Sequence, residues 1–393
     1  MSNVKDLENL MRRIVDRGIP GASISVYKDE KPLYEGCFGY MDFDRKRPLT
    51  PDALFRMYSM TKPVSALCGM IQYERGVFLM DDPVSEYLPE YKDLKLSVKK
   101  PDGTWTVEDS KTPMLMRHLF NMNVGFYAHD GSPTDIGMQK MNERLGGTKF
   151  KAGYDHLTEI RNLPSVPMYF EPGTRWQYGY GLDIMAGVVE ATSGMGLGDF
   201  MKKNIFDPLG MNDTWYRFRE GWQERTVDCV RRDKETGRYF RMTDALGDPL
   251  DLGHMPDCKY ESASTGLLST LGDYQKFCRM LANGGELGGE RIVGRKTIDM
   301  MRQDLLHDQL VKDFYNPNLI GYGYGYGVRT LVDPVAGLCN GSVGEFGWCG
   351  AAGTWMCVDP SERLAVTFMQ QDFISDEHYV QHRLRAVING MLE

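Results

Sequence analysis

The sequence predicts an α/β (α+β) fold, in which helices cover one sheet and a mostly helical region is inserted. Two observations predict it. A helix and two strands at the front of the chain, within residues 4–40, are matched by strands and a final helix after residue 320. Between these parts, helical patterns alternate with polar loops that contain glycine and proline. Because a sheet must bury its apolar faces, the terminal helices are expected to cover it. We therefore predict a discontinuous sheet domain, 1–76 and 270–393, and a mostly helical domain, 77–269.

The individual elements are predicted from local patterns. Apolar residues that recur every three to four positions indicate helices, and short β-branched or aromatic runs between turn residues indicate strands. Glycine and tyrosine alternate in residues 321–327, where the glycines would permit close packing of a strand. The predicted helices are 4–17, 59–75, 182–192 and 376–392, and the predicted strands are 22–27, 32–40, 321–332, 353–358 and 364–369.

The composition excludes several classes of protein. Hydrophobic residues make up 42% and charged residues 25% of the chain, which is typical of a globular protein rather than a disordered or fibrous one. A formal charge of −8 argues against nucleic acid as a partner. No apolar stretch approaches the roughly 20 residues that cross a bilayer, and the N-terminal residues carry no apolar signal core. We expect a cytoplasmic protein that binds no membrane.

Metal or cofactor chemistry has little support in the sequence. The eight cysteines include no CxxC pair, and the seven histidines form no HExxH grouping. Without a secretion signal, the cysteines are expected to be reduced and mainly buried. We therefore expect no cofactor and no metal, and a homo-oligomer remains an open alternative to a monomer.

Ser59 and Lys62 are the first candidates for catalysis. They are three residues apart at the start of a predicted helix, so both side chains would lie on one face. A serine hydroxyl needs a base to act as a nucleophile, and a buried lysine at a helix N-terminus can be that base. The pattern alone also fits an N-cap serine with a solvated lysine. Another copy of the pattern, Ser97 and Lys100, falls in the charged segment 97–112, where neither side chain is expected to be buried.

Two further segments support a catalytic role for Ser59 and Lys62. EPGTRWQYGY occupies residues 171–180 and FGWCGAAGTWM residues 346–356. With Ser-x-x-Lys, they resemble the serine β-lactamase and penicillin-recognising superfamily, whose motifs are Ser-x-x-Lys, Tyr-x-Asn and Lys-Thr-Gly. Residues 76–89, 208–212 and 264–273 resemble framework segments of that superfamily, so the resemblance covers nearly the whole chain. The Trp-x-Gly form of the third motif is most similar to the family VIII carboxylesterases, β-lactamase-like enzymes that cleave esters.

The resemblance implies a β-lactamase-like fold and a role for each motif residue. The fold would be an antiparallel sheet with helices on both faces, and the active site would lie between the two domains. Ser59 would be the acylated nucleophile, Lys62 its base, and Tyr178 the phenol that relays protons. The backbone N–H groups of Ser59 and of Ala351, which follows the matched Gly350, would form the oxyanion hole. These groups would meet in a cleft that holds little water.

Two departures from the motifs bear on the substrate. Tyr180 stands in place of the asparagine of Tyr-x-Asn, and Trp348 in place of the lysine of Lys-Thr-Gly. Losing an amide and a cation favours an uncharged acyl ester over a carboxylated lactam, in a pocket lined by Tyr180, Trp348, Cys349 and Gly350. A cation supplied from elsewhere in the fold is an alternative. Purely structural roles for the aromatic residues, and a filler role for Cys349, are others.

We therefore predict a serine carboxylesterase that cleaves a small-molecule ester through an acyl-enzyme. Three alternatives stay open: a β-lactamase or D-amino-acid peptidase, an acyltransferase on the same scaffold, and a non-catalytic binding module. Glu171 and Arg175 flank a Pro-Gly turn and are expected to brace that loop rather than to catalyse.

Overall fold

A large antiparallel sheet organises the structure, a computed structural model that describes residues 2–147, 149–151, 153–242 and 253–392. Residues 148, 152 and 243–252 of the predicted helical domain lie outside the described residues. The strands in chain order are β1 Gly21–Lys28, β2 Lys31–Gly39, β3 Leu54–Arg56, β4 Lys95–Lys99, β5 Trp105–Asp109, β6 Val230–Arg232, β7 Tyr239–Arg241, β8 Leu268–Thr270, β9 Glu286–Leu287, β10 Glu290–Arg291, β11 Tyr322–Tyr324, β12 Arg329–Leu331, β13 Phe346–Cys349, β14 Trp355–Asp359 and β15 Leu364–Gln370.

The α-helices connect and cover these strands. Short 3₁₀ turns accompany them, including Tyr58–Met60. None of the helices in the described ranges is long and apolar enough to cross a membrane. The α-helices are α1 Ser2–Asp16, α2 Thr61–Glu74, α3 Met116–Phe120, α4 Pro133–Arg144, α5 His156–Asn162, α6 Gly181–Ser193, α7 Leu197–Met201, α8 Asp207–Leu209, α9 Trp222–Arg225, α10 Leu271–Ala282, α11 Arg295–Met301, α12 Asp308–Phe314 and α13 Glu377–Asn389.

The large sheet joins the two ends of the chain. Its seven strands lie in the order β11-β12-β13-β14-β15-β1-β2, and every neighbouring pair is antiparallel. The N-terminal hairpin β1–β2 therefore pairs with the C-terminal strand β15, with Ile24 opposite Phe368. This arrangement confirms the predicted sheet built from the front and the back of the sequence.

Helices cover both faces of the sheet, as predicted. On one face α1 and α13 pack through Leu10 and Leu384 against Trp355 and Phe368. On the other face α10 packs against β15, β14 and β1. Alternate residues of each strand therefore reach different cores, because successive strand side chains point to opposite faces.

The division into two domains at residues 76 and 270 stays a prediction. One hydrophobic cluster contains residues of both parts, such as Leu67 of α2, Leu182 of α6 and Met356 of β14. The α2 helix packs directly against α6, and its residues Thr61–Gln72 are all buried. This helix is therefore a central element that holds both parts together.

Three local predictions can be compared with the structure. The single strand predicted over 321–332 was wrong, since these residues form the hairpin β11–β12. Its glycines do pack closely: a Cβ on Gly325 would overlap the carbonyl oxygen of Met301. The helix predicted from residue 59 begins at Thr61 instead. The charged segment 97–112 is mostly a β-hairpin, β4–β5, and the prediction that Ser97 is exposed was wrong, since it is 5% exposed.

Candidate active site

Ser59 lies in a tight turn directly before the central helix. The 3₁₀ turn Tyr58–Met60 leads into α2, and the N–H of Thr61 bonds to the carbonyls of Tyr58 and Ser59. Pro63 has no N–H to give to the carbonyl of Ser59, so a regular α-helix cannot begin at that serine. The turn leaves Ser59 partly exposed at the N-terminus of an otherwise buried helix.

The residue before Ser59 is held in an unusual backbone conformation. Tyr58 has φ +47°, a left-handed value that costs a non-glycine residue roughly 1–2 kcal/mol. Its side chain packs in a small buried cluster with Cys229 and Ala352, and its ring lies 5.7 Å from that of Phe373. Packing around Tyr58 therefore fixes the sharp turn that presents Ser59.

Lys62 reaches back to Ser59 from the first turn of α2. The ammonium nitrogen Nζ donates to Ser59 Oγ at 3.3 Å and to the backbone carbonyl of Ser264 at 2.9 Å. Lys62 is 2% exposed, so its cation is sequestered from bulk water. Once this nitrogen has lost a proton, its distance from Ser59 Oγ allows it to take the hydroxyl proton.

Tyr178 completes the group of side chains around Ser59. Its ring centroid lies 4.5 Å from Lys62 Nζ, and its hydroxyl accepts a hydrogen bond from the Trp348 indole N–H at 3.2 Å. The Tyr178 ring also stacks between the rings of Trp348, at 5.8 Å, and Trp176, at 6.3 Å. Tyr178 is 37% exposed, so the cleft is more open to water here than the sequence predicts.

Charged side chains brace the loop that carries Tyr178. Arg175 donates two hydrogen bonds to Asp313 of α12, at 2.6 and 2.7 Å, and the N–H of Trp176 adds a third at 3.1 Å. Glu171 accepts hydrogen bonds from Ser110 and Thr112, each at 2.7 Å. The expected bracing role of Glu171 and Arg175 is thereby confirmed.

Gly350 and Ala351 form the turn after β13 and lie beside the segment that carries Ser59. A Cβ on Gly350 would overlap the carbonyl oxygen of Met57, so glycine permits this approach. Ala351 accepts a hydrogen bond from the N–H of Ile374 at 2.8 Å, and Ala352 packs against Tyr58. The assignment of the Ser59 and Ala351 N–H groups to an oxyanion hole stays a proposal.

Trp348 and Cys349 lie on opposite faces of β13. Trp348 is 6% exposed and faces Tyr178, whereas Cys349 packs with the cluster under α1 and α13. Burial, with the nearby Glu377 carboxylate, raises the pKa of the Cys349 thiol to about 12. Since the two side chains point in opposite directions, Cys349 does not join the residues around Ser59, and we leave it out of the pocket.

Tyr180 points its hydroxyl into a buried polar cluster. The hydroxyl donates to Glu159 at 3.1 Å, and burial raises the pKa of Tyr180 well above its usual value. Lys149 Nζ lies 5.5 Å from the centre of the Tyr180 ring. Lys149 is therefore a candidate for the cation that the sequence analysis leaves open.

Two residues near Lys62 were missed by the sequence analysis. Ser264 accepts from Lys62 through its carbonyl, and its hydroxyl donates to Asp183. A signal for each exists in the sequence. Asp183 is the second residue of the predicted helix 182–192 and lies five residues after Tyr178, and Ser264 opens a segment that resembles the superfamily framework. Neither signal tells which atom would face Lys62.

The free thiols are those of Cys37, Cys68, Cys229, Cys278, Cys339, Cys349 and Cys357. Within the described ranges, no group of three or more His, Cys, Asp or Glu side chains is arranged to hold a metal ion.

Known proteins resemble this chain over almost its whole length. Esterase EstB of Burkholderia gladioli is 26% identical over 377 residues, which cover 90% of this chain and 86% of the esterase. Simvastatin synthase LovD from Aspergillus terreus has a TM-score of 0.83 at 20% identity, covering 100% of this chain and 99% of its own. EstCE1, described as a hydrolase with promiscuous acyltransferase activity, has a TM-score of 0.78 at 20% identity, with 99% of both chains covered.

At such identities the two solved structures show the fold, and they confirm the predicted β-lactamase-like architecture. The sequence model of the Beta-lactamase family matches residues 7–389, nearly the entire chain. The chain therefore belongs to the Beta-lactamase family, a family of serine hydrolases with this fold.

Proposed function

We propose that this protein is a carboxylesterase that cleaves small, uncharged esters through an acyl-enzyme formed on Ser59. The observation that carries the proposal is the contact between Lys62 Nζ and Ser59 Oγ at 3.3 Å, made by a lysine that is 2% exposed. A buried amine next to a serine hydroxyl supplies the base that this nucleophile needs. The similarity to esterase EstB points to the same class of reaction.

In the proposed acylation step, Ser59 Oγ attacks the ester carbonyl while Lys62 Nζ takes its proton. The oxygen that gains negative charge would be held by the N–H groups of Ser59 and Ala351, and fixed donors of this kind contribute about 3–4 kcal/mol each. Tyr178 gives its proton to the departing alkoxide and becomes a phenolate, while Lys62 keeps the proton taken from Ser59. Water then attacks the acyl carbonyl and gives a proton to the Tyr178 phenolate, and the Lys62 ammonium returns its proton to Ser59 Oγ as the acid leaves.

Trp348 would orient the phenol of Tyr178 for this step. Its indole N–H donates to the phenol oxygen at 3.2 Å, so the hydroxyl proton of Tyr178 is directed away from Trp348. A phenol held in this way can donate its own proton toward the leaving group. The same N–H stabilises the phenolate when that proton has gone.

The pocket that we propose is aromatic rather than cationic. Trp348 and Tyr180 replace the polar partners that the superfamily uses for a carboxylated lactam. Gly350 permits the close approach of the Met57 carbonyl, next to the turn that carries Ser59. Such a wall favours an uncharged acyl group. Lys149 is the reason to keep a β-lactamase or D-amino-acid peptidase as an alternative, since its cation lies near Tyr180.

An acyltransferase is the second candidate function. Tyr178 is 37% exposed, so the proposed acyl-enzyme is open to an alcohol or amine as well as to water. EstCE1 is described as having promiscuous acyltransferase activity, which supports testing acceptors.

The test compares hydrolysis of p-nitrophenyl butyrate and of nitrocefin by the parent protein and by two serine variants. We expect the parent to cleave the ester much faster than nitrocefin, Ser59→Ala to be inactive, and Ser97→Ala to match the parent. Preferred cleavage of nitrocefin would favour the lactamase, and butyryl transfer to added alcohol would favour the acyltransferase. Ester hydrolysis retained by Ser59→Ala would refute the proposal, and failure of Ser59 to react with a fluorophosphonate would indicate a binding module.

A further inference from the structure

A buried set of polar side chains lies behind Lys62 and takes no part in the proposed chemistry. Ser264 connects it to the lysine: its carbonyl accepts from Lys62 Nζ at 2.9 Å, and its hydroxyl donates to Asp183 Oδ2. Ser264 is 9% exposed and Asp183 3%. Burying a carboxylate is costly unless it has a specific partner, so this contact requires an explanation.

The second oxygen of Asp183 faces a histidine. Asp183 Oδ1 lies 4.0 Å from His156 Nε2, and His156 Nδ1 lies 2.5 Å from a carboxylate oxygen of Glu190. Burial alone would lower the pKa of His156, but the carboxylates of Glu190, Asp183 and Glu159 outweigh it and raise the pKa. The Asp183 carboxylate is thus held between the Ser264 hydroxyl on one side and the imidazole on the other.

The fold ties this carboxylate to the same helix as Tyr178. Asp183 lies in the first turn of α6, which begins three residues after Tyr178, and α6 packs against α2. The segment around Ser264 runs between these helices and bonds to both of them. A second anchor of this segment to α2 is Ser65, whose hydroxyl donates to the neighbouring carbonyl of Ala263 at 2.7 Å.

The direction of the Ser264 carbonyl determines where Lys62 Nζ lies. The lysine stem has several rotatable bonds, and the carbonyl fixes its nitrogen at a point from which Ser59 Oγ is 3.3 Å away. The hydrogen bond from Ser264 Oγ to Asp183 fixes the serine in turn. Displacing a reacting group by about 1 Å can cost on the order of 100-fold in rate.

We propose that Asp183 is a positioning residue for Lys62, acting through Ser264 to hold the amine against Ser59 Oγ. The inference rests on the proposed function, since it assigns a support to the proposed base. It predicts that the rate depends on the hydrogen bond that Asp183 accepts from Ser264, and that Asp183 itself does not contact the substrate.

The test measures the second-order rate at which a fluorophosphonate labels Ser59, together with kcat and KM for p-nitrophenyl butyrate. Asp183→Ala and Ser264→Ala should each lower the labelling rate and kcat by roughly 10- to 100-fold with KM nearly unchanged. The double variant should lose little more than either single one, because both remove the same hydrogen bond. Asp183→Asn should recover most of the rate, since its amide oxygen still accepts from the Ser264 hydroxyl.

The matched control is Ser65→Ala, which removes the hydrogen bond to the Ala263 carbonyl but leaves the bonds of Ser264 to Lys62 and Asp183 in place. Melting temperature is recorded for all variants. Equal labelling rates in the parent, Asp183→Ala and Ser264→Ala would overturn the inference, as would an equal loss in Ser65→Ala, which would reveal a merely structural role. Labelling of Ser59 without hydrolysis of any ester would instead refute the proposed function, and the labelling comparison would still decide the role of Asp183.

Discussion

The pattern Ser-x-x-Lys occurs at residues 2–5, 25–28, 59–62 and 97–100, and the copies at 59–62 and 97–100 have different surroundings. Lys62 is 2% exposed and lies 3.3 Å from Ser59 Oγ, at the start of α2. Ser97 lies on strand β4, where its hydroxyl bonds to Thr134 at 2.8 Å, and Lys100 follows the strand in an exposed position. Of these two copies, the one at 59–62 brings the serine hydroxyl and the lysine amine together.

Backbone geometry accounts for the difference. In a helical turn, residues three apart lie on the same face, whereas in a strand they point to opposite faces. Ser97 faces the interior from within β4, and Lys100, the first residue after that strand, is exposed. Of these two copies, the one in a helical turn with a buried lysine is the one that places an amine next to a hydroxyl.

The largest expected effect comes from removing each lysine in turn. Lys62→Met should lower kcat/KM for p-nitrophenyl butyrate by roughly 10²- to 10⁴-fold, the usual contribution of a general base. Lys100→Met should leave kcat/KM unchanged, because this side chain is exposed and remote from Ser59. Similar losses in both variants, measured by initial rates, would remove the distinction between the two copies.

A smaller effect is expected at the indole that contacts Tyr178. Trp348→Phe keeps an aromatic ring but loses the N–H that donates to the Tyr178 hydroxyl, so kcat should fall about tenfold, in line with one lost hydrogen bond. Trp176→Phe is the matched control, since Trp176 also stacks on Tyr178 while its indole N–H has no partner among the described residues. If both variants lose the same activity, stacking rather than the hydrogen bond orients Tyr178.

The smallest effect is expected at Ser97, the serine of the copy on strand β4. Ser97→Ala removes a buried hydrogen bond to Thr134 and should lower the free energy of unfolding by about 1 kcal/mol with activity unchanged. Thr134→Val should have a similar effect, and the double variant should not be additive, because both changes break the same bond. Chemical denaturation followed by circular dichroism measures all three, and loss of activity in Ser97→Ala at full stability would contradict this structural role.

The sequence was sufficient to predict the framework of the fold and the three candidate catalytic residues Ser59, Lys62 and Tyr178. Helical spacing and β-rich runs predicted most bounds of the terminal helices and the central strands to within a few residues. The terminal helices bury one regular stripe, and the central strands are apolar runs buried on both faces. The motif order led to Ser59, Lys62 and Tyr178, which the structure brings together. The predicted helix start failed at Ser59 because Pro63 removes the hydrogen bond that would begin an α-helix there.

Other features depend on contacts that no local pattern records. Trp348 and Cys349 are neighbours in the sequence, and only the packing of β13 decides which one faces Tyr178. Ser97 is buried because α4 brings Thr134 against β4. Likewise, Asp183 and Ser264 are 81 residues apart, and their hydrogen bond exists only once α6 and the 264–273 segment have packed.

The most direct measurement of the central claim is the site of acylation. The protein is mixed with p-nitrophenyl butyrate, quenched in acid within the first turnovers, and examined by intact-mass spectrometry and peptide mapping. A single butyryl group on Ser59, which disappears as the ester is consumed and is absent from Ser59→Ala, is the predicted result. A butyryl group on any other residue, or turnover by Ser59→Ala at the parent rate, would contradict the account.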